Sequence, residues 1–195
     1  MKRLLLILIL TFSSQSWTKA DDIRDFEIEG MSIGDSLLDF FSKSEIKKNS
    51  FDYYNDKTFT PVQTPKLAFY KLYDYVDFDF KTNDKKYIIH ALYGTISYEK
   101  NINDCYKKMD EIVISMKKLF DNVEVEEKYD EKRPDKTGDP TGKSKVTIVS
   151  FWFDNEDRAS VSCYDYSKDH GGEDNLTIGI QTKEQNEFLF NKAYK

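Results

Sequence analysis

The sequence predicts an α+β fold: an antiparallel sheet in two strand groups, separated by a long amphipathic helix, with helices packed on one face. Three observations predict it. Apolar residues recur at spacings of three and four between residues 103 and 120, which is the period of a helix with one buried side. Short runs rich in aromatic and β-branched residues lie before and after that helix. Strands that are grouped, rather than alternating with helices, are typical of α+β domains.

The first elements expected are a short strand and a helix. Residues 26–29 alternate apolar and acidic side chains, as a half-buried strand does. Apolar residues then recur from 33 to 41, which predicts a helix capped by Ser32 or Asp35. Residues 49–65 are expected to be irregular, because turn-forming residues and prolines interrupt any period.

Three strands are expected before the long helix, at residues 67–72, 75–80 and 87–93. The second of them alternates strictly, with apolar side chains on one face and polar ones on the other. Its polar face includes Asp77 and Asp79, and we expect this face to lie in solvent.

Four strands and a closing helix are expected after the long helix. The strands are predicted at residues 123–128, 145–153, 159–166 and 176–182. The second of these is apolar on both faces, which predicts a place between two other strands. The closing helix, residues 183–193, would bury Phe188 and Leu189.

Residues 1–20 have the pattern of a signal peptide, so residues 21–195 are expected to form a single exported domain. Lys2 and Arg3 precede an unbroken apolar run of residues 4–10, and a polar stretch follows. The run is shorter than the roughly 18 residues that cross a bilayer, so we expect no stable membrane insertion after cleavage. The location expected is periplasmic or secreted, and an uncleaved membrane anchor is the alternative.

The charge of the chain argues against nucleic acid as a partner. The sequence has 29 basic and 35 acidic residues, a formal net charge of −6, and removal of the leader removes basic residues only. Such a surface repels phosphates. The remaining basic residues are scattered, as on an ordinary solvated surface.

Two cysteines, Cys105 and Cys163, are both expected to point into the core. Cys105 lies on the apolar stripe of the long helix, and Cys163 shares a strand face with Ala159 and Val161. In an oxidising compartment such a pair predicts a disulfide, while two buried free thiols are the alternative. The cysteines and histidines lack the spacing of a zinc site, and we expect no metal and no cofactor.

The sequence contains two short motifs of serine hydrolases. Gly-Asp-Ser-Leu at residues 34–37 resembles the motif of an esterase family, which would make Ser36 the nucleophile and His170 its base. That family has Asp-x-x-His near its end, whereas here Ser167 stands where the Asp should be. Gly-x-Ser-x-Gly around Ser32 is the other motif. Capping of backbone N–H groups explains both serines without catalysis and is the preferred interpretation, and the hydrolase is kept as the alternative function.

Several segments resemble a group of small exported proteins of marine alphaproteobacteria. They are FEIEGMSIGDSLLDFF at residues 26–41, NDKKYII at 83–89 and DCYKKM at 104–109. The resemblance covers the chain after the leader. It implies a periplasmic location and implies no activity.

The function expected is therefore that of a non-catalytic binding or interaction module. Its partner would be a protein, an envelope component or a small ligand, and no ligand-binding residue can be assigned from the sequence. The chain has 13 tyrosines, and a sheet face with exposed rings such as Tyr73, Tyr75 and Tyr98 would offer a docking surface.

Overall fold

A computed structural model of the chain describes residues 22–98, 101–120, 122–132, 139, 142–169 and 172–195. The predicted signal peptide lies outside these residues.

The described residues form one seven-stranded antiparallel sheet and three α-helices, which confirms the α+β class. The strands are β1 Phe59–Pro65, β2 Tyr75–Lys81, β3 Ile89–Ser97, β4 Glu124–Lys132, β5 Lys145–Trp152, β6 Arg158–Asp165 and β7 Asn175–Gln181. The helices are α1 Lys43–Asn49, α2 Ile102–Leu119 and α3 Lys183–Asn191. Two short 3-10 turns, Ile23–Asp25 and Leu37–Asp39, precede α1.

Three strands precede α2 and four follow it, yet all seven pair in a single sheet. The order across the sheet is β1-β2-β3-β7-β6-β5-β4. The chain leaves β3, passes through α2 to the far edge at β4, and returns strand by strand until β7 pairs with β3. The β3–β7 ladder therefore joins the three strands that precede α2 to the four that follow it.

The disulfide shows which face of the sheet α2 covers. Cys163 in β6 is joined to Cys105 in α2, with their Cα atoms 6.1 Å apart. Directly paired residues of neighbouring strands point to the same side. From Cys163 this face runs through Leu176 to Ile96, and in β2 it includes Phe78. It holds the main hydrophobic core, to which α2 contributes a buried stripe of Cys105, Met109, Ile112, Val113, Met116 and Leu119.

Helix α3 lies on the opposite face, which we call the polar face of the sheet. Its Gln185 donates a hydrogen bond to Asp79, which adjoins Phe78 in β2 and so points the other way. Phe188 packs against Phe59, with ring centroids 5.0 Å apart. The expectation that all helices pack on one face is therefore wrong for α3. The reason is a second apolar cluster, formed by Tyr54, Phe59, Phe188 and Ala193.

The region around β1 also differs from the prediction. Residues 67–72 form turns, because the carboxylate of Glu29 accepts the backbone N–H groups of Lys71, Leu72 and Tyr73 at 2.7–3.1 Å. The edge strand is instead residues 59–65, where irregular structure was expected. Proline is tolerated in an edge strand, since one side of that strand makes no ladder hydrogen bonds.

Residues 26–41 form a looped segment instead of the predicted strand and helix. Ile28 and Met31 form an isolated bridge across a turn in which Glu29 and Gly30 have positive φ. Gly34 also has positive φ, at 90°, so no helix can run through it. Helix α1 begins only after Ser42, whose side chain accepts from the Glu45 N–H while Glu45 accepts from the Ser42 N–H.

Asp79 is buried between α3 and the sheet, where solvent was expected. Only 2% of the residue is exposed, and its Oδ2 accepts hydrogen bonds from Tyr54 Oη at 2.9 Å and from Gln185 Nε2. Burial raises the pKa of Asp79 to about 7, and the neighbouring Asp77 contributes to the rise. Burial likewise raises the pKa of Asp77 to about 6.

We predict that breaking the disulfide destabilises the chain by about 4 kcal/mol. A cross-link with a sequence separation of 58 residues removes that much chain entropy from the unfolded state in the loop-closure model. The measurement is urea unfolding of the oxidised chain, the reduced chain and Cys105→Ala/Cys163→Ala. The double variant should have the same urea midpoint as the reduced chain, and added reductant should not change that midpoint. Equal urea midpoints for oxidised and reduced chains would contradict this prediction.

We also predict that the free energy of unfolding decreases as the pH rises from about 4 to about 7. Because the pKa of Asp79 is higher in the folded chain than the usual value of 3.8, its contribution is fully present below pH 3.8 and is lost as the pH passes 7. Asp79→Asn keeps an acceptor for Tyr54 and Gln185 but cannot ionise. Between pH 4 and 7, the unfolding free energy of Asp79→Asn should therefore fall by less than that of the native chain, and the difference should be on the order of 3 kcal/mol. Because the pKa of Asp77 is also raised, the unfolding free energy of Asp79→Asn should still decrease, by a smaller amount, between pH 4 and 6.

The check is urea unfolding of both chains at half-unit pH steps, with Asp39→Asn as control because Asp39 is exposed. Parallel curves for the native chain and Asp79→Asn would show that Asp79 does not titrate as described.

Candidate functional site

Ser36 caps a backbone turn. Its Oγ donates to the carbonyl oxygen of Lys86 at 2.6 Å and accepts from the N–H of Leu38 at 3.1 Å, at the start of the 3-10 turn Leu37–Asp39. The hydroxyl proton is thus held by a carbonyl group. This arrangement tethers the looped segment to the residues before β3, and it does not activate a nucleophile.

Ser32 is also bonded to the backbone. It is buried, and its Oγ donates to the carbonyl oxygen of Phe26 at 2.6 Å. Its own N–H donates to Asp35 Oδ2 at 2.9 Å. Both motif serines therefore hold the loop together, although the helix they were expected to cap is absent.

The predicted base of the hydrolase, His170, lies outside the described residues. Its neighbour Asp169 has a carboxylate oxygen 3.6 Å from the Nζ of Lys143. The other histidine, His90, packs against the ring of Phe59 and has Nδ1 3.8 Å from Glu184 Oε2. Burial lowers the pKa of His90. Within the described residues, no histidine is bonded to Ser36.

Of the three tyrosines expected to form a docking surface, only Tyr73 is buried. Tyr73 is 7% exposed and packs on Gly94, where a Cβ would lie 2.6 Å from the ring. Tyr75 and Tyr98 are half-buried. The prediction was therefore wrong for Tyr73, because periodicity does not show which loops fold back onto a sheet.

A groove of about 640 Å³ lies between α3 and the β4–β5 edge of the polar face. Strand pairing explains its position: Glu124, Trp152, Arg158 and Gln181 form one row across four strands, and α3 begins just after Gln181. We call it the α3 groove. Its lining includes Glu124 and Glu126 from β4, Trp152, Asp154 and Glu156 from β5 and the following turn, and Lys183, Asn186, Glu187 and Phe190 from α3.

The α3 groove is strongly acidic. Five carboxylates and one ammonium group line it. Lys183 Nζ lies 2.9 Å from Glu156 and 3.9 Å from Glu187. Two other lining residues, Glu124 and Asp154, have carboxylates without an ion-pair or hydrogen-bond partner among the described residues.

Glu126 is held in its ionised form at the groove. Its carboxylate lies 3.2 Å from the Nζ of Lys128, and Trp152 Nε1 donates to it at 3.4 Å. The hydrogen bond from Lys128 is the main cause that lowers the pKa of Glu126, and the bond from Trp152 adds to it. The same contacts orient the indole of Trp152 at the groove.

Two aromatic rings of the groove offer apolar surface. The centroids of Trp152 and Phe190 lie 6.5 Å apart, and 64% of Phe190 is exposed. The guanidinium carbon of Arg158 already lies 5.4 Å from the centre of the Trp152 ring. Arg158 is itself held by Gln181 Oε1, which accepts from its Nε at 2.9 Å.

One lining residue, Asn186, has a buried amide. Asn186 is buried, and its Nδ2 donates to the carbonyl oxygen of Glu156 at 3.2 Å. Its Oδ1 has no hydrogen-bond partner among the described residues. A buried amide oxygen without a donor costs about 1–3 kcal/mol. Because this oxygen is itself enclosed by protein, it is not open to a ligand in the groove.

Two other depressions lack this combination of features. One of 830 Å³ lies beside residues 165–169 and 172–174, next to residues that the structure does not describe. Another, of 290 Å³, lies beside Phe51 and Tyr53. Within the part of the chain that is described, no group of three His, Cys, Asp or Glu side chains is placed to hold a metal ion.

No protein-family model, curated protein or solved structure matches the chain. Of the helices among the described residues, none is both long enough and apolar enough to cross a membrane.

Sequence reasoning missed the α3 groove entirely. One signal was present: Glu124 and Glu126 alternate with Val123 and Val125, which marks an acidic strand face. Nothing local indicated that α3 would lie across that face.

We predict that Ser36→Ala lowers stability and removes no activity. Losing the cap and leaving the Lys86 carbonyl unpaired should cost about 1 kcal/mol in urea unfolding. A fluorophosphonate probe should label neither the native chain nor the variant. Ser44→Ala is the control, because Ser44 is exposed in α1 and should change neither measurement. Stoichiometric labelling of the native chain that is lost in Ser36→Ala would establish a hydrolase instead.

Proposed function

We propose that the chain is an exported, non-catalytic binding module whose ligand occupies the α3 groove. The observation that carries the proposal is the groove itself: a cleft of about 640 Å³ lined by the exposed ring of Phe190 and by the carboxylates of Glu124 and Asp154, which have no partner among the described residues. Ligand sites are typically clefts of roughly 300–1,000 Å³ that combine apolar walls with a few polar groups.

Export is supported by two features. Cys105 and Cys163 have their sulfur atoms at disulfide distance, and disulfides persist mainly in oxidising compartments. The basic and apolar pattern of residues 1–20 fits a secretory leader. A periplasmic location is also what the resemblance to small alphaproteobacterial exported proteins implies.

A non-catalytic role is supported by the motif serines. Both Ser32 and Ser36 donate their hydroxyl protons to backbone carbonyl groups. An activated serine instead donates to a base that can take its proton. The groove is a separate part of the molecule, built by α3 and by β4–β5 and the turn after them.

The proposal predicts that a small molecule stabilises the chain through the groove. We would screen a library of cationic, neutral and anionic metabolites by thermal shift, using the chain from Asp21. Ligands that raise the melting temperature should lose their effect in Phe190→Ala, because that ring forms one wall.

Tyr129→Ala is the matched control, since Tyr129 is also 64% exposed but does not line the groove. A library without stabilising ligands, or ligands that stabilise both variants equally, would exclude the groove as the ligand site.

A further inference from the structure

We propose that helix α3 is a pH-sensitive strap, which stays on the polar face while the buried carboxyl of Asp79 is protonated and is released when that carboxyl ionises. The main core under α2 stays folded during the release. The inference goes beyond the proposed function, and its test requires no ligand. Three features of the interface support it: the partners of Asp79, the free amide oxygen of Gln185, and the way α3 is attached.

The first feature is that Asp79 is buried with neutral partners. Its Oδ2 accepts from the hydroxyl of Tyr54 and from the amide of Gln185, and no cation is bonded to it among the described residues. Arg158 lies in the same row across the sheet, but its guanidinium is bonded to Gln181. A buried carboxylate without a cation is costly, whereas a protonated carboxyl carries no charge. Helix α3 therefore covers the protonated form more favourably than the ionised form.

The second feature is the amide of Gln185, which belongs to α3. Its Nε2 donates to Asp79, while its Oε1 is buried and has no donor within the described part of the chain. A protonated Asp79 has an O–H group beside this amide, and an ionised Asp79 has only acceptors. Protonation of Asp79 thus supplies the kind of group that the helix lacks at this point.

The other ionisable groups that surround Asp79 do not compensate a negative charge. Asp77, two residues earlier on the same face of β2, opposes the ionisation of Asp79 by repulsion, and burial with this repulsion raises the pKa of Asp79 to about 7. Tyr54 and Tyr93 are neutral, because burial raises the pKa of both hydroxyls. Tyr194, which follows α3, packs on Tyr54 with ring centroids 5.9 Å apart.

One titratable group at the edge of the interface acts in the opposite direction. His90 Nδ1 lies 3.8 Å from Glu184 Oε2 of α3, and Lys81 Nζ lies 2.8 Å from the other oxygen of Glu184. Burial lowers the pKa of His90, so His90 favours the docked helix more as the pH rises. Release of α3 at higher pH is therefore assigned to Asp79 and not to His90.

The third feature is the attachment of α3, which is mostly polar. Its apolar contacts belong to the small cluster that contains Phe188 and Ala193, and this cluster is separate from the main core. Helix α2, in contrast, contributes a buried stripe to the main core and is joined to β6 by the disulfide. Elements with few buried apolar contacts open locally while the core stays closed. Helix α3 can therefore leave the sheet without unfolding the chain.

The test is hydrogen exchange at single-residue resolution on the chain from Asp21, between pH 5 and pH 8. Each rate is compared with that of a free amide at the same pH, which gives a protection factor. We expect the amides of α3 to be less protected than those of α2, because α3 opens without the core. The α3 protection factors should decrease by on the order of fiftyfold between pH 5 and 7, because the pKa of Asp79 is about 7 when α3 is docked and 3.8 when it is released.

Two variants identify the group responsible. In Asp79→Asn, the protection of α3 should no longer decrease as the pH rises, since asparagine keeps an acceptor and cannot ionise. Gln185→Lys places an ammonium group beside Asp79 and should keep α3 protected at pH 7, because the carboxylate then has a cation. This second variant tests the same point if Asp79→Asn does not fold. Glu187→Gln is the control: it removes an exposed carboxylate of the same helix and should lose protection as the native chain does.

Three results would overturn the inference. The first is an α3 protection factor that does not change with pH in the native chain. The second is an equal decrease in the native chain and in Asp79→Asn, which would mean that another group titrates. The third is equal protection of α2 and α3 at every pH, which would mean that α3 opens only when the whole chain unfolds. The ligand screen tests the proposed function separately, so either proposal can fail alone.

Discussion

The hydrogen bonds that Asp79 accepts from Tyr54 and Gln185 bring helix α3 onto the polar face of the sheet. A buried carboxylate is costly unless its oxygens are bonded, so these partners are required once α3 has removed Asp79 from water. Phe188 adds apolar contact with Phe59 at the same interface. One wall of the groove is α3 itself, and therefore the candidate site exists only while this interface holds.

The interface combines polar and apolar contacts, which gives it limited stability. Unsatisfied atoms lie on both of its sides: Gln181 Nε2 on the sheet and Gln185 Oε1 on the helix. Each such atom opposes docking by about 1–3 kcal/mol. A ligand held between α3 and β4–β5 would add contacts to both walls and would stabilise the docked helix.

Much of the fold could be predicted from the sequence, because strong periodicity is a local property. Helix α2 and strands β2, β3 and β5 to β7 lie close to their expected positions. Errors occurred where distant residues decide the structure. The Glu29 carboxylate turns residues 71–73 away from strand pairing, and edge position allows β1 to contain two prolines.

The candidate site was harder to predict than the fold. Asp77 and Asp79 have the alternation of a solvated strand face, and only the placement of α3 shows that Asp79 is covered. The groove residues come from strands and a helix that are far apart in sequence. The motif at Ser36, in contrast, is visible in the sequence, yet the Ser36 hydroxyl is hydrogen-bonded to backbone groups. Short motifs show residue types, whereas a site needs residues that converge in space.

The central claim, that α3 and the β4–β5 edge together hold the ligand, is tested most directly by hydrogen exchange at single-residue resolution with and without a bound ligand. We expect slower exchange in α3 and in residues 152–156 on binding, with no change at the looped segment of residues 26–41. Protection confined to that segment, or to the face covered by α2, would contradict it.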